Sequence, residues 1–93
     1  MSKSENLSEF LKSKRVAANL TQMDVAEALG YTSAQFISNW ERGLSSPPIP
    51  TLKKLCKMYK MSSDDVFHRL LTQTIKDVEV DLTRKFFKKT KSA

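Results

Sequence analysis

The 93-residue chain has few of the residues that build common cofactor, metal and disulfide sites. It has only two glycines, Gly30 and Gly43, so it cannot form a glycine-rich phosphate loop. A single cysteine, Cys56, and a single histidine, His68, exclude an intrachain disulfide framework and a zinc site of the usual ligand number. No apolar run approaches the ~20 residues that span a bilayer, and the start of the chain is polar. We therefore expect a cytoplasmic protein without metal or cofactor.

The pattern also lacks the side chains of a catalytic centre. No nucleophile stands beside a matching base, and no set of carboxylates converges on one position. Asp64 and Asp65 suit the first turn of a helix, where the helix dipole favours acidic groups. The sequence therefore argues against an enzyme.

Positive charge is concentrated at the C-terminus. The net charge is +6, and the last ten residues contribute five basic side chains and no acidic one, so residues 1–83 carry only +1. The five basic residues are Arg84, Lys85, Lys88, Lys89 and Lys91. Such a tail fits a polyanion partner, because phosphate contacts release counterions, and it equally fits a solubilising terminus.

Helix-start and helix-stop residues divide the chain into five predicted helices, at about 5–18, 21–29, 33–42, 50–60 and from 63 onward. Thr21 with Asp24, and Ser62 with Asp65, form capping-box patterns. Gly30 and Gly43 stand where helices end. Apolar stripes predict the core faces, and the stripe of helix 5 consists of Val66, Phe67, Leu70, Leu71 and Ile75.

The sequence after Lys76 is compatible with either a helix or a short strand. Val78 and Leu82 continue the helical spacing of Ile75, whereas Val78, Val80 and Leu82 also alternate with acidic residues, as in a short strand. Apolar residues from Leu70 to Phe87 exceed what a five-helix core needs, so we expect helix 5 and residues 76–87 to take part in dimerisation.

Helices 2 and 3 are joined by a short glycine-containing turn, the arrangement of a helix-turn-helix. The second helix of such a unit can lie in the DNA major groove. With Ile37 and Trp40 facing inward, the outward residues of helix 3 are Ala34, Gln35, Ser38, Asn39 and Arg42. Glutamine and asparagine amides can pair with adenine, and an alanine methyl can touch a thymine methyl. The alternative is an ordinary polar surface helix.

Two charges lie on apolar stripes. Arg15 follows Leu11 by four residues on helix 1, and Glu41 follows Ile37 by four residues on helix 3. A buried charge is costly unless it is paired, so we expect Arg15 and Glu41 to form an ion pair that fixes helix 3 against helix 1. The alternative places both side chains at the solvated rim.

A set of residues in and around these helices forms a recognisable pattern. The set is Leu20-Thr21-Gln22, Val25-Ala26, Leu29-Gly30, Ile37-Ser38, Trp40-Glu41-Arg42-Gly43, Pro47 and Thr51-Leu52. It resembles the phage Cro/repressor family of helix-turn-helix domains, also called the XRE family. The resemblance implies an all-α, five-helix, lambda-repressor-like domain over residues 7–67. Residues 68–93 would continue helix 5 as a dimerisation segment and basic tail.

The resemblance also implies roles for single residues. Gln22 would contact a DNA phosphate, and positions matching Ala34, Gln35 and Asn39 would reach base edges. The family has an arginine–glutamate pair matching Arg15 and Glu41. This chain departs from the pattern by one extra residue between Gly30 and helix 3, so either the turn is longer or helix 3 starts earlier. The remaining DNA-binding candidates are Ser33 at the helix 3 start, and Ser45 with Arg42 for phosphates near the loop.

Two functions follow as hypotheses. The first is a transcriptional regulator, a repressor, that binds a palindromic operator in double-stranded DNA as a homodimer. The second is a protein-interaction module, such as an antitoxin, whose C-terminal segment binds a partner protein. No separate sensor domain is visible, so no small-molecule ligand is required.

Overall fold

The computed structural model describes residues 6–88, which form five α-helices and no strand. The helices are α1 (Leu7–Ala17), α2 (Gln22–Ala28), α3 (Gln35–Glu41), α4 (Ile49–Met58) and α5 (Ser63–Phe87). The predicted all-α fold is confirmed. The predicted start of helix 1 at residue 5, and Lys89 and Lys91 of the basic tail, lie outside the described residues.

Side-chain caps set the helix starts. The Thr21 hydroxyl accepts from the Asp24 amide at 2.9 Å, and the Asp24 carboxylate accepts from the Thr21 amide at 2.8 Å, as the capping-box pattern predicts. At α5, the Ser62 hydroxyl accepts from the Asp65 amide at 3.2 Å. The Asp65 carboxylate pairs instead with the guanidinium of Arg69, at 2.9 Å. The second box is therefore formed in one half only.

The first four helices end in the same way. The residue after each C-cap adopts the left-handed conformation: Asn19, Gly30, Gly43 and Lys60, with φ of 61°, 85°, 78° and 55°. In each case the next amide donates to a carbonyl five residues back, which is the Schellman arrangement. Both glycines therefore serve as helix stops, as the sequence predicts.

The core lies where α3 packs against α1 and α2, and where the start of α5 packs against α1 and α4. Ile37 and Trp40 of α3 are 1% and 3% exposed, so the predicted inward face of this helix is confirmed. The buried apolar residues are Leu7, Phe10, Leu11, Val25, Ala26, Ile37, Trp40, Leu52, Leu55, Tyr59, Met61 and Val66.

The segment after Lys76 is helical and not a strand, because α5 runs without a break to Phe87. The predicted stripe of helix 5 is only partly right. Val66 is buried and Leu70 packs against the core, but Phe67, Leu71 and Ile75 are exposed. The domain docks on the Val66 side of the helix, which turns the neighbouring apolar residues toward solvent.

No helix within residues 6–88 is both long enough and apolar enough to cross a membrane.

Candidate DNA-binding surface

The outer face of α3 carries a continuous row of polar side chains. The Gln35 amide donates to Asn39 Oδ1 at 2.9 Å, and the Arg42 guanidinium donates to the same oxygen at 3.3 Å. These residues lie at helical spacings of four and three, so they stand above one another on one side of α3. Gln35 and Arg42 are exposed and Asn39 is half-buried. We call this row the α3 polar row.

The start of α3 differs from the sequence prediction. The helix begins at Gln35, so Ser33 and Ala34 lie in the turn and not on the predicted helix of residues 33–42. Ala34 is the N-cap and offers no side-chain acceptor, while the Ser33 hydroxyl accepts from the Gln35 amide at 3.3 Å. Ala34 also packs against the core, which leaves only part of its methyl outward. Of the two alternatives for the extra residue, the turn is longer.

The predicted ion pair is confirmed. Arg15 Nε lies 2.6 Å from Glu41 Oε2 and Arg15 Nη2 lies 3.0 Å from Glu41 Oε1, and the two side chains are 10% and 3% exposed. Arg15 Nη1 also donates to the Leu20 carbonyl oxygen at 2.7 Å. The hydrogen bonds to Glu41 raise the pKa of Arg15 above its ordinary value, against an opposing effect of burial. The pair therefore joins α1 to α3 through charge-assisted, bidentate contacts.

Gln22 joins α2 to the same pair. Its Nε2 donates to Glu41 Oε1 at 2.9 Å, so the Glu41 carboxylate accepts from both α1 and α2. Gln22 is the first residue of α2 and is half-buried. The structure thus gives this residue a role in orienting α3 that the sequence pattern did not reveal.

The remaining candidates flank the α3 polar row. Ser38 is half-buried on α3, one residue before Asn39. Ser45 is exposed in the loop after α3, beside Ser46. Ser45 and Ser46 help line a small surface pocket with Gly43, Ser8 of α1 and other residues. The loop therefore places hydroxyl groups near the C-terminal end of α3.

Comparison with known proteins bears on this arrangement. A helix-turn-helix family model of the Cro/XRE type matches residues 11–66, which is more than half of the chain. The chain belongs to this helix-turn-helix family. At the level of the family it is a DNA-binding transcriptional regulator. Searches of curated proteins and of solved structures gave no match.

One surface residue of this helix-turn-helix protein escaped the sequence analysis. Phe36, the residue after Gln35, is 54% exposed and lies beside the α3 polar row. Its ring centroid lies 5.0 Å from that of Tyr31 and 6.4 Å from that of Trp40. The signal in the sequence was an aromatic residue lying off the Ile37/Trp40 stripe.

No cluster of three or more His, Cys, Asp or Glu side chains within residues 6–88 is arranged to hold a metal ion.

Proposed function

We propose that this helix-turn-helix protein is a non-enzymatic repressor that binds a palindromic operator as a homodimer in the cytoplasm, with α3 in the major groove. The α3 polar row carries this proposal. It presents two amides and one guanidinium on a face that the core leaves free. The major groove offers a distinct set of donors and acceptors at each base pair, and these side chains match it.

Gln35 and Asn39 are the proposed base readers. A glutamine or asparagine amide pairs bidentately with the N6 and N7 atoms of adenine. In the free chain Gln35 donates to Asn39, so reading a base exchanges this internal hydrogen bond for contacts to DNA. Arg42 supplies the charge of the row, and it suits either a guanine edge or a phosphate. Ser38 and the outward part of Ala34 would border the same base pairs.

Gln22, Ser33 and Ser45 are proposed to contact the DNA backbone. The Gln22 amide has two hydrogens, and its bond to Glu41 uses one of them. The other can reach a phosphate while the bond to Glu41 holds the side chain in place. Ser33 and Ser45 offer exposed hydroxyl groups at opposite ends of α3. Backbone contacts of this kind fix the position of a protein on DNA without reading sequence.

The test is selection of binding sites from a pool of randomised duplexes, followed by titration of the selected duplex and a scrambled duplex at physiological salt. We expect an inverted repeat whose half-sites lie about one helical turn apart, ~10 base pairs. Equal affinity for the selected and scrambled duplexes would refute the proposal.

Two variants separate base contacts from backbone contacts. Asn39→Ala should lose about 1–3 kcal/mol of discrimination at one base pair of each half-site. Ser45→Ala, in the exposed loop after α3, should weaken binding to all sequences by a similar factor. Thr72→Ala, on the exposed surface of α5, is the matched control and should bind like the parent protein.

A second candidate function is favoured by the exposed apolar residues of α5. In this alternative α5 binds a different protein, as in an antitoxin, and DNA binding is secondary. A stable hetero-complex that survives high salt, together with no shift of any selected duplex, would favour it over the repressor.

A further inference from the structure

Six apolar side chains form a stripe on α5 that no part of residues 6–88 covers. They are 42–80% exposed. Their spacings are four, four, three, four and four residues, which places them within an arc of about 100° on the helix. Val66 lies about 150° from the centre of this arc and Leu70 lies between Val66 and Phe67, and both pack on the domain. The α5 stripe consists of Phe67, Leu71, Ile75, Val78, Leu82 and Phe86.

The second half of α5 has no tertiary packing within the described chain. From Thr74 to Lys88 every residue is exposed except Asp81, whose carboxylate pairs with Lys85 on the same helix at 3.0 Å. A helix segment of this length, about 14 residues, is marginal in water without packing of its apolar face. Its continuation to Phe87 therefore calls for a partner.

The stripe is symmetric along the helix. Its midpoint lies between Lys76 and Asp77, and residues at equal distances from that point are alike. Phe67 mirrors Phe86, Leu71 mirrors Leu82, and Ile75 mirrors Val78. If two copies of α5 run antiparallel about this midpoint, each apolar side chain meets a counterpart of the same kind. A two-fold interface uses the same patch on both subunits, as this pattern requires.

The charges of α5 favour the same orientation. The helix begins with Asp64 and Asp65 and ends with Arg84, Lys85 and Lys88. An antiparallel pair brings the basic end of each helix to the acidic end of the other. A parallel pair would bring like charges together at both ends, which is unfavourable.

We propose that the α5 stripe is the surface through which two copies of the chain associate, with their α5 helices antiparallel and centred between Lys76 and Asp77. This inference rests on the homodimer of the proposed function and adds its interface and register. The stripe faces away from the Val66 side, so two domains can sit on the outside of one helix pair.

Cysteine cross-linking in the absence of DNA tests the register. In a Cys56→Ala background, one preparation carries Leu71→Cys and another carries Leu82→Cys. Both positions are exposed, so both variants should fold, which circular dichroism verifies. Under mild oxidation we expect cross-linked dimer when the two preparations are mixed, and little when either is oxidised alone. Thr83→Cys mixed with Leu71→Cys is the control, because residue 83 lies off the stripe.

A cross-link within each separate preparation, and none specific to the mixture, would show a parallel pair and overturn the proposal. A protein that stays monomeric at micromolar concentration would overturn it as well. Sedimentation gives a second measure: Leu82→Asp should weaken self-association about tenfold or more, and Thr83→Asp should leave it unchanged. Because these assays contain no DNA, a failed DNA titration beside a correct cross-link would refute the repressor and leave the register standing.

Discussion

Removal of the Glu41 carboxylate is the sharpest test of how α3 is held. The Arg15 side chain is 10% exposed. Glu41→Ala removes its two hydrogen bonds to the carboxylate and leaves its bond to the Leu20 carbonyl oxygen. It also takes away the acceptor of Gln22. The lost contacts to Arg15 are two charge-assisted hydrogen bonds, each contributing about 1.5–3 kcal/mol. Breaking one side of a buried ion pair costs about 3–5 kcal/mol, so we expect a loss of that size.

Such a loss is large for a domain of this size, whose free energy of unfolding is typically about 5–15 kcal/mol. The assay is urea denaturation followed by the fluorescence of Trp40, the single tryptophan, which is 3% exposed and adjacent to Glu41. The double variant Arg15→Met/Glu41→Leu removes both charges and should recover most of the lost stability. Glu41→Ala should also weaken DNA binding, because α1 and α2 lose the α3 carboxylate that Arg15 and Gln22 both contact.

The matched control is an exposed ion pair on α5. The side chains of Asp81 and Lys85 are 48% and 71% exposed. Asp81→Asn breaks their contact and should change the free energy of unfolding by less than about 1 kcal/mol. If Glu41→Ala cost no more than this control, the argument that burial makes the Arg15–Glu41 pair a structural constraint would be wrong.

Three further predictions concern stability. Burial, together with the nearby Glu41 carboxylate, raises the pKa of Tyr59 above the ~10 of an unfolded tyrosine. The contribution of Tyr59 to the free energy of unfolding is therefore present below pH ~10 and is lost as pH rises further. Tyr59→Phe should reduce the fall of the urea midpoint between pH 9 and 11, and an unchanged fall would contradict this. Hydrogen bonds from Thr21 lower the pKa of Asp24. The α2 cap therefore stabilises the folded protein above the unfolded pKa of ~3.9, and this stabilisation is lost as pH falls through the folded pKa. Asp24→Asn should remove this dependence of the melting temperature on acid pH, and a melt profile that keeps it would argue against the cap. Lys60 is exposed and has a φ of 55°, a left-handed conformation that strains a lysine but not a glycine. Lys60→Gly should therefore raise the free energy of unfolding by about 1 kcal/mol in the urea assay. A lower free energy of unfolding would show that the lysine side chain contributes more than the backbone strain costs.

Local signals accounted for much of the fold. The Thr21–Asp24 box, Gly30 and Gly43 placed three helix boundaries because capping depends on residues close together in the chain. Asn6 and Glu9 form a further capping box, so α1 starts at Leu7, about two residues after the predicted start. The Arg15–Glu41 pair was also predictable, since a charge on an apolar stripe needs a partner.

The candidate site was predictable in part. Gln35, Asn39 and Arg42 were identified as outward because Ile37 and Trp40 fix the inner face of α3. The exact start of α3 was not, because Thr32 and Ser33 are both favourable N-cap residues, whereas the observed N-cap is Ala34, which has no side-chain acceptor. The bond between Gln22 and Glu41 joins residues 19 positions apart, and no local pattern encodes it.

The sequence by itself determined which residues start and stop the helices and which sides of them are apolar, because capping and periodicity act over one or two turns. Only the tertiary structure decided which apolar side of α5 enters the core. Val66 and Phe67 are neighbours, yet one is 3% exposed and the other 56%. Periodicity marks both as available for burial, and only the docking of α5 against α1 and α4 selects between them.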